Sequence, residues 1–387
     1  MAEISIIFSI SAILFLSPFL SRYIKMPTPA LEIILGMFAA YFGLISDYYL
    51  FELIAHVGFF YLMFMAGTEV DLKMFVKIDK SILKKGIIYL ISLYILSTLS
   101  VVYFEMSKIM IIIIPTLSVG LILALYKDYG KNAPWLNLSM VVGSMGELVS
   151  ISLLTFTGAA LEFGIGFELY KAVLYLVLLL GGIVIIFKLL HVLFWWYPEI
   201  KTYLMPHADK EEQDLRLSMG LFSLMIGLMI LLHLEIAFGA FIAGIFIATF
   251  FEHKEDLPHK ISSFGFGFLV PIFFVYIGST FDLLSLGVSG VVSTALTIVA
   301  LMVLVRLLSS FIFLGYLSRV DILRFALSQS MPLTLTIAIA TIAYNSQNIS
   351  EMLYSALILA SLIEVVIGMI GIEVITLIKN KFKLNKG

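Results

Sequence analysis

Long, nearly uncharged apolar runs decide what this sequence can fold into. Of the 387 residues, 61% are hydrophobic and only 13% are charged, whereas a soluble domain has about 25% charged residues. The apolar residues come in runs of about 20, the length of a helix that crosses the hydrocarbon of a bilayer. The sequence therefore predicts an all-α polytopic membrane protein with about thirteen transmembrane helices, surrounded by lipid bilayer. The expected spans are 3–21, 28–46, 51–68, 86–104, 108–126, 135–159, 168–195, 214–233, 235–251, 262–280, 288–316, 321–344 and 353–378.

Composition and residue spacing exclude several classes of protein. The net charge is −2, so no general electrostatic attraction to nucleic acid is expected. Because the chain has no cysteine, disulfides, thiolate catalysis and cysteine metal sites cannot form. No His/Asp/Glu cluster has the spacing of metal ligands, which argues against a membrane-embedded enzyme and against a bound cofactor.

The basic residues outside the spans fall almost entirely on one side of the membrane. Lysine and arginine concentrate in the cytoplasmic loops of membrane proteins. If the N-terminus lies outside, only Lys108 and Lys171 face the outer side, and Arg306 is left inside a span. We therefore expect an external N-terminus, a cytoplasmic C-terminus and a multi-pass location in the bacterial inner membrane.

Two prolines stand inside predicted spans at corresponding places, Pro115 in the fifth and Pro332 in the twelfth. Proline removes a helix hydrogen bond and frees a carbonyl, which needs a partner from protein, water or an ion within the bilayer. The two spans are an odd number apart and so cross in opposite senses, as interrupted helices do at the centre of inverted-repeat transporters. A simple kink at each proline is the alternative interpretation. The flanking hydroxyl residues that we assign to the breaks are Thr116, Ser118, Ser330 and Thr334.

Glu147 lies in the middle of the sixth predicted span. A carboxylate at that depth costs roughly 3 kcal/mol on insertion scales and usually marks a functional site. Its small neighbours Gly143, Ser144 and Gly146 leave space for an ion and water. Burial disfavours the charged form of a carboxylate, so a proton and a metal cation would compete for it. A purely structural hydrogen bond between helices is the alternative.

Arg306 and Glu364 are two further ionisable residues at mid-depth, in the eleventh and last predicted spans. A guanidinium keeps its charge in proteins, so Arg306 needs a carboxylate partner, and both Glu147 and Glu364 are candidates. We interpret Arg306 and Glu364 as charge-balancing residues. Arg306 could instead stabilise carbonyls of the broken helices, and Glu364 could titrate as a second group.

Four longer motifs occur in order along the chain. They are Pro27-Thr-Pro-Ala-Leu-Glu-Ile-Ile-Leu-Gly36, Phe64-Met-Ala-Gly-Thr-Glu-Val-Asp-Leu72, Gly239-Ala-Phe-Ile-Ala-Gly244 and Pro271-Ile-Phe-Phe-Val-Tyr-Ile-Gly-Ser-Thr-Phe-Asp282. With these motifs and the two proline-containing spans, nearly the whole chain resembles the monovalent cation:proton antiporter-2 family. That family includes Kef-type potassium efflux systems and bacterial sodium/proton exchangers.

The resemblance implies an NhaA-like antiporter fold, in which two inverted six-helix repeats carry crossed discontinuous helices. Residues 1–387 would form one transmembrane transporter domain, and two copies would form a homodimer. The family's ion-binding acid falls on Glu147, its buried basic residue on Arg306, and its threonine-rich break on Thr116 and Ser118. The implied parts are scaffold spans in 1–82 and 214–282, core spans in 83–159 and 288–378, and a linker helix at 168–195.

The chain departs from the family pattern at two places. Gly146-Glu147 replaces a polar pair that ends in aspartate, and Ser330-Met-Pro332 stands where Arg-Gly-Glu is usual. Only a few residues follow the last predicted span, so we do not expect the cytoplasmic nucleotide-binding domain of Kef proteins.

Together these features predict a secondary active transporter that exchanges Na⁺, or alternatively K⁺, for H⁺ by alternating access. Glu147 would bind either the metal ion or the proton, with oxygen ligands from Thr116, Ser118 and Ser144. An organic-anion or bile-acid-type sodium symporter of the same fold is one alternative. A non-transporting sensor subunit is another.

Overall fold

The computed structural model describes most of the chain as helix. The described residues are 2–24, 28–46, 48–68, 79–129, 133–163, 167–204, 211–232, 234, 236–251, 254, 256–281 and 283–384. The helices of the first half are α1 (Ala2–Ile24), α2 (Thr28–Tyr41), α3 (Tyr49–Thr68), α4 (Lys80–Tyr103), α5 (Met110–Ile113), α6 (Gly120–Tyr129), α7 (Pro134–Phe163), α8 (Phe167–Trp196) and α9 (Pro198–Leu204). Those of the second half are α10 (Gln213–Leu232), α11 (Ile236–Phe250), α12 (Leu257–Phe264), α13 (Val270–Ser279), α14 (Val291–Ser310), α15 (Arg319–Ser328), α16 (Leu333–Asn345) and α17 (Glu351–Leu384). A π-helical turn, Gly265–Leu269, joins α12 to α13.

Many of these helices have the dimensions of membrane spans. Within the described residues, eight segments are long and apolar enough to cross a bilayer. The helices α2 and α11 are also apolar but shorter. In hydrocarbon a chain must satisfy its backbone groups internally, and a helix does so within one segment. The expectation of an all-helical, multi-pass membrane protein is therefore confirmed.

The chain divides into two compact units. The first comprises Met1–Glu52, Ile78–Ser150 and Pro271–Gly387. Within it α17 packs against α14, α15 and α16, while α14 also packs against α4. Helix α2 meets α13 at paired glycines, because a Cβ on Gly36 would clash with the carbonyl of Val275 and one on Gly278 with the carbonyl of Ile33. Small residues allow this close helix approach.

The second unit comprises Leu53–Lys77 and Ile151–Val270. In it α10 packs against α11, and α11 also meets α3 at a pair of glycines. A Cβ on Gly67 would clash with the carbonyl of Phe241, and one on Gly244 with the carbonyl of Phe64. In each unit, the glycines of two sequence motifs thus form a close contact between two helices.

Both proline-containing spans are interrupted in the first unit. Between α5 and α6 the backbone is non-helical from 114 to 119, and Pro115 lies in this segment. Between α15 and α16 the interruption covers 329–332, and Pro332 is the residue immediately before α16. We refer to 114–119 as the first break and to 329–332 as the second break. Each break leaves backbone groups that need partners outside their own helix.

Candidate functional site

Glu147 is fully buried in α7 and contacts the first break through both carboxylate oxygens. The hydroxyl of Ser118 donates to Oε1 at 3.1 Å, and the backbone N–H of Val119 donates to Oε2 at 3.3 Å. The side chain is 0% exposed. A buried carboxylate is therefore held by two donors from unwound backbone, and neither donor carries a charge.

Helix α7 also supports the first break at two further positions. A Cβ on Gly146 would overlap the side chain of Leu117, so glycine is needed for the break to lie against the helix. One turn later, Ser150 Oγ accepts the backbone N–H of Leu117 at 3.0 Å. Gly146, Glu147 and Ser150 together bind three consecutive residues of the break, 117–119. The sequence analysis missed Ser150, although its spacing from Glu147 puts the two residues on neighbouring positions of one helix face.

Arg306, on α14, joins the first break to the last helix. Its Nη2 donates to the carbonyl oxygen of Thr116 at 2.7 Å, and its Nη1 lies 3.3 Å from Glu364 Oε1 on α17. Nη1 also donates to the carbonyl of Met302 at 2.9 Å. Arg306 and Glu364 are both almost completely buried. Of the two carboxylates that the sequence offered as partners, the structure brings Glu364 to Arg306, and the guanidinium also holds a carbonyl of the break.

The remaining residues predicted to bind the ion make local hydrogen bonds. The hydroxyl of Thr116 donates to the carbonyl of Ile112 at 2.8 Å, and that of Ser144 to the carbonyl of Met140 at 2.7 Å. Both hydroxyls are therefore donors within their own segments, and only their lone pairs remain for a ligand. Of the predicted hydroxyl ligands, Ser118 is the one that contacts Glu147 directly.

At the second break, Ser330 donates from its hydroxyl to the carbonyl of Ala326 at 3.0 Å. Pro332 accepts the N–H of Thr336 through its carbonyl at 2.9 Å. Thr334 lies in the first turn of α16, but its side chain is outside the described residues. These contacts of Ser330 and Pro332 are therefore local to the second break and the helices beside it.

Two buried residues, Ser328 and Gln329, connect the region of the second break to α7, and the sequence analysis did not single out Gln329 or its partner Ser139. Gln329 Nε2 donates to the carbonyl of Ser139 at 2.9 Å, and the hydroxyls of Ser139 and Ser328 lie 2.7 Å apart. Their signal in the sequence was the presence of polar side chains inside apolar spans. Both breaks therefore contact α7, the first around Glu147 and the second around Ser139.

The two buried carboxylates of this site differ in whether they have a cationic partner among the described residues. Arg306 is paired with Glu364, whereas no ion pair of Glu147 occurs in the part of the chain that the structure describes. A buried carboxylate without a cationic side chain is stable only if it is protonated or binds a cation. The arrangement can therefore hold one proton or one metal ion at Glu147, with carboxylate, hydroxyl and backbone oxygens nearby.

Fold and site define an integral membrane protein in which a buried carboxylate is hydrogen-bonded to an interrupted helix. The family model for the transmembrane sodium/hydrogen exchanger matches residues 10–377, and the chain belongs to that family. The expected membership of an exchanger family is therefore confirmed, without distinction between its subfamilies.

Two curated proteins that are similar to this chain are described as Na⁺/H⁺ antiporters. The putative Na⁺/H⁺ antiporter YjbQ of Bacillus subtilis (strain 168) is 28% identical over 378 residues, which cover 90% of this chain and 59% of that protein. This chain therefore spans less than two thirds of that relative's length. The probable Na⁺/H⁺ antiporter 3 of Methanocaldococcus jannaschii is 25% identical over 292 residues, which cover 70% of each protein.

Solved structures that share the fold include the sodium proton antiporter MjNhaP1 from Methanocaldococcus jannaschii at pH 8, with a TM-score of 0.69 and 16% sequence identity. The match covers 97% of this chain and 99% of that one. At this identity the likeness concerns the fold alone.

Proposed function

We propose that this chain exchanges sodium ions for protons across the membrane, with Glu147 as the residue that binds either ion. The observation that carries the proposal is a fully buried carboxylate that receives hydrogen bonds from an interrupted helix and has no cationic partner among the described residues. Membership of the exchanger family and relatives described as Na⁺/H⁺ antiporters support exchange over organic-anion symport and over a sensor role. Potassium remains the second candidate cation.

The oxygen atoms around Glu147 suit a hard cation. Sodium, like other hard cations, takes oxygen ligands from carboxylates, hydroxyls and carbonyls. Ser118 already contacts the carboxylate, and the Thr116 and Ser144 hydroxyls keep lone pairs for a bound ion. When the ion leaves, a proton restores the neutrality of the site. Proton and cation thus exclude each other, and this exclusion couples their movements.

Arg306 and Glu364 would balance charge without taking part in exchange. Their ion pair neutralises both groups, and Arg306 also fixes the Thr116 carbonyl. Glu147 would then be the group whose charge changes during the cycle. This arrangement favours the exchange of one sodium ion for one proton.

The proposal also covers the subfamily, the number and arrangement of the spans, the oligomeric state and the orientation in the membrane. We place the chain in the antiporter-2 subfamily, with about thirteen spans, two inverted six-helix repeats and crossed broken helices that act by alternating access. Core spans in 83–159 and 288–378 would move relative to scaffold spans in 1–82 and 214–282, with 168–195 as the linker. We also propose a homodimer in the bacterial inner membrane, with the N-terminus outside and the C-terminus in the cytoplasm.

Purified protein in liposomes that contain a pH-sensitive dye tests this proposal. Addition of external sodium should make the liposome interior more alkaline, because each sodium ion that enters is exchanged for a proton that leaves, and Glu147→Gln should abolish this change. Glu32→Gln is a matched control, because Glu32 is also a buried carboxylate that accepts a serine hydroxyl, from Ser17 at 2.9 Å. Sodium-dependent proton movement that survives Glu147→Gln would refute the proposal.

A further inference from the structure

Gln329 is a buried amide whose orientation is fixed by one hydrogen bond. It follows the last residue of α15 and is 1% exposed. Its Nε2 lies 2.9 Å from the carbonyl oxygen of Ser139. Because a carbonyl only accepts hydrogen bonds, the amide nitrogen must face it. The amide oxygen Oε1 is therefore directed away from Ser139 and cannot exchange places with the nitrogen.

The amide oxygen of Gln329 has no hydrogen-bond donor within the described part of the chain. A Cβ built on Gly143 of α7 would lie 3.5 Å from this oxygen and 3.0 Å from side-chain carbons of Ile122 and Val119. Glycine therefore lets α7 approach this oxygen and two apolar side chains closely, because a methyl group at this position would be in tight contact with Ile122 and Val119. A buried acceptor without a donor is costly unless water or a cation occupies the space beside it.

Gly143 lies between the amide oxygen of Gln329 and the environment of Glu147. Gly143 precedes Glu147 by one helical turn, so both residues lie on the same face of α7. Val119 borders both positions, since its side chain faces Gly143 and its N–H donates to Glu147 Oε2. The unpartnered oxygen of the second break and the carboxylate bound by the first break therefore flank the same residue.

We propose that Gln329 Oε1 is a further oxygen ligand for the transported cation, on the face of α7 that also carries Glu147. This inference rests on the proposed function of Glu147. An amide oxygen binds a hard cation but is not protonated at neutral pH. Gln329 therefore contributes to sodium affinity and leaves proton binding at Glu147 unchanged. Each break would then provide oxygens to the ion, Ser118 from the first and Gln329 from the second.

Two substitutions separate the oxygen ligand from the hydrogen bond that anchors it. Gln329→Met keeps a side chain of similar length without the oxygen, although it also loses the bond to Ser139. Gly143→Ala keeps that bond and places a methyl group 3.5 Å from Oε1, where it would crowd an ion bound to this oxygen. In proteoliposomes, we expect each variant to raise the KM for sodium about tenfold while kcat stays nearly unchanged. The pH dependence of proton release without sodium should match that of the unsubstituted protein.

Gly86→Ala is the matched control, because its Cβ would also press on α7, at 3.2 Å from Met145 Sδ, away from Gln329. We expect this variant to keep the original KM. A purely structural role of Gln329 would lower the amount of folded protein without moving the sodium KM. If Gln329→Met does not fold, Gly143→Ala is the deciding variant, and an unchanged sodium KM in Gly143→Ala overturns the inference. If Glu147→Gln loses exchange while Gly143→Ala keeps the original sodium KM, the role of Gln329 is refuted and the proposed function of Glu147 is retained.

Discussion

Arg306 Nη2 donates a 2.7 Å hydrogen bond to the carbonyl oxygen of Thr116, a backbone group that the first break releases from its helix. The same guanidinium is paired with Glu364, so α14 and α17 together hold the break against which Glu147 lies. The buried arginine thus provides a hydrogen-bond donor to one backbone carbonyl that lacks a helical partner beside Pro115. Among the described residues Arg306 makes its ion pair with Glu364 and not with Glu147, as the proposed binding of a proton or a cation at Glu147 requires.

Removal of Arg306 should destabilise the protein strongly. Arg306→Met leaves Glu364 buried without its cation and should cost about 3–5 kcal/mol of unfolding free energy. The double variant Arg306→Met/Glu364→Leu removes both charges and should recover most of that loss, because apolar replacements of a buried pair are often near neutral. Thermal unfolding in detergent measures both effects. If the double variant were as unstable as the single one, the destabilisation would not come from the unpaired charge.

Transport should not recover with stability in that double variant. The Thr116 carbonyl would still lack its donor, so the first break would lose its fixed position beside Glu147. We expect sodium-dependent proton movement at least about tenfold below that of the unsubstituted protein. Full activity in the double variant would show that the bond to Thr116 does not position the break.

Gly146 should tolerate no side chain. A Cβ there would overlap Leu117, so Gly146→Ala should displace the first break, destabilise the protein by about 1–3 kcal/mol and reduce exchange. The second substitution Leu117→Ala should relieve the overlap and restore part of the activity. Gly181→Ala on α8 is the control, since nothing lies within 4 Å of its Cβ position. Equal effects of the two glycine variants would contradict the packing explanation.

Ser150 and Ser144 provide a paired test of the hydrogen bonds on α7. Ser150→Ala leaves the buried N–H of Leu117 without its acceptor and should cost about 1–3 kcal/mol. Ser144→Ala removes only a bond to the carbonyl of its own helix at Met140, and we expect a change of less than about 1 kcal/mol. Chemical or thermal denaturation of both variants measures the difference. A larger loss in Ser144→Ala than in Ser150→Ala would reverse this assignment.

The sequence predicted the structure best where the bilayer permits only one backbone conformation or one kind of environment. Apolar runs must become helices in hydrocarbon, so the all-helical membrane fold could be predicted. Pro115 and Pro332 cannot donate a backbone hydrogen bond, and both lie in interruptions. Glu147 could be singled out because an acid at mid-depth needs a compensating environment.

The side-chain partners could not be predicted with the same certainty. Glu147 and Glu364 both lie at mid-depth, and the rotation and packing of α14 and α17 decide which of them reaches Arg306. Ser144 and Ser118 look equivalent in the sequence, yet a helical serine can donate to its own helix, as Ser144 does. Gln329 has no local signal beyond its polarity, because its anchor at Ser139 is distant in the chain. These assignments depend on tertiary contacts.

The dependence of the sodium KM on pH tests the central claim most directly. If one carboxylate binds either ion, protons compete with sodium, because a metal ligand must be deprotonated. In proteoliposomes, the KM for sodium should then rise by up to about tenfold for each unit by which pH falls on the acid side, while the maximal rate at saturating sodium is retained. A sodium KM that stays constant while pH changes the maximal rate would contradict exchange at a single shared Glu147.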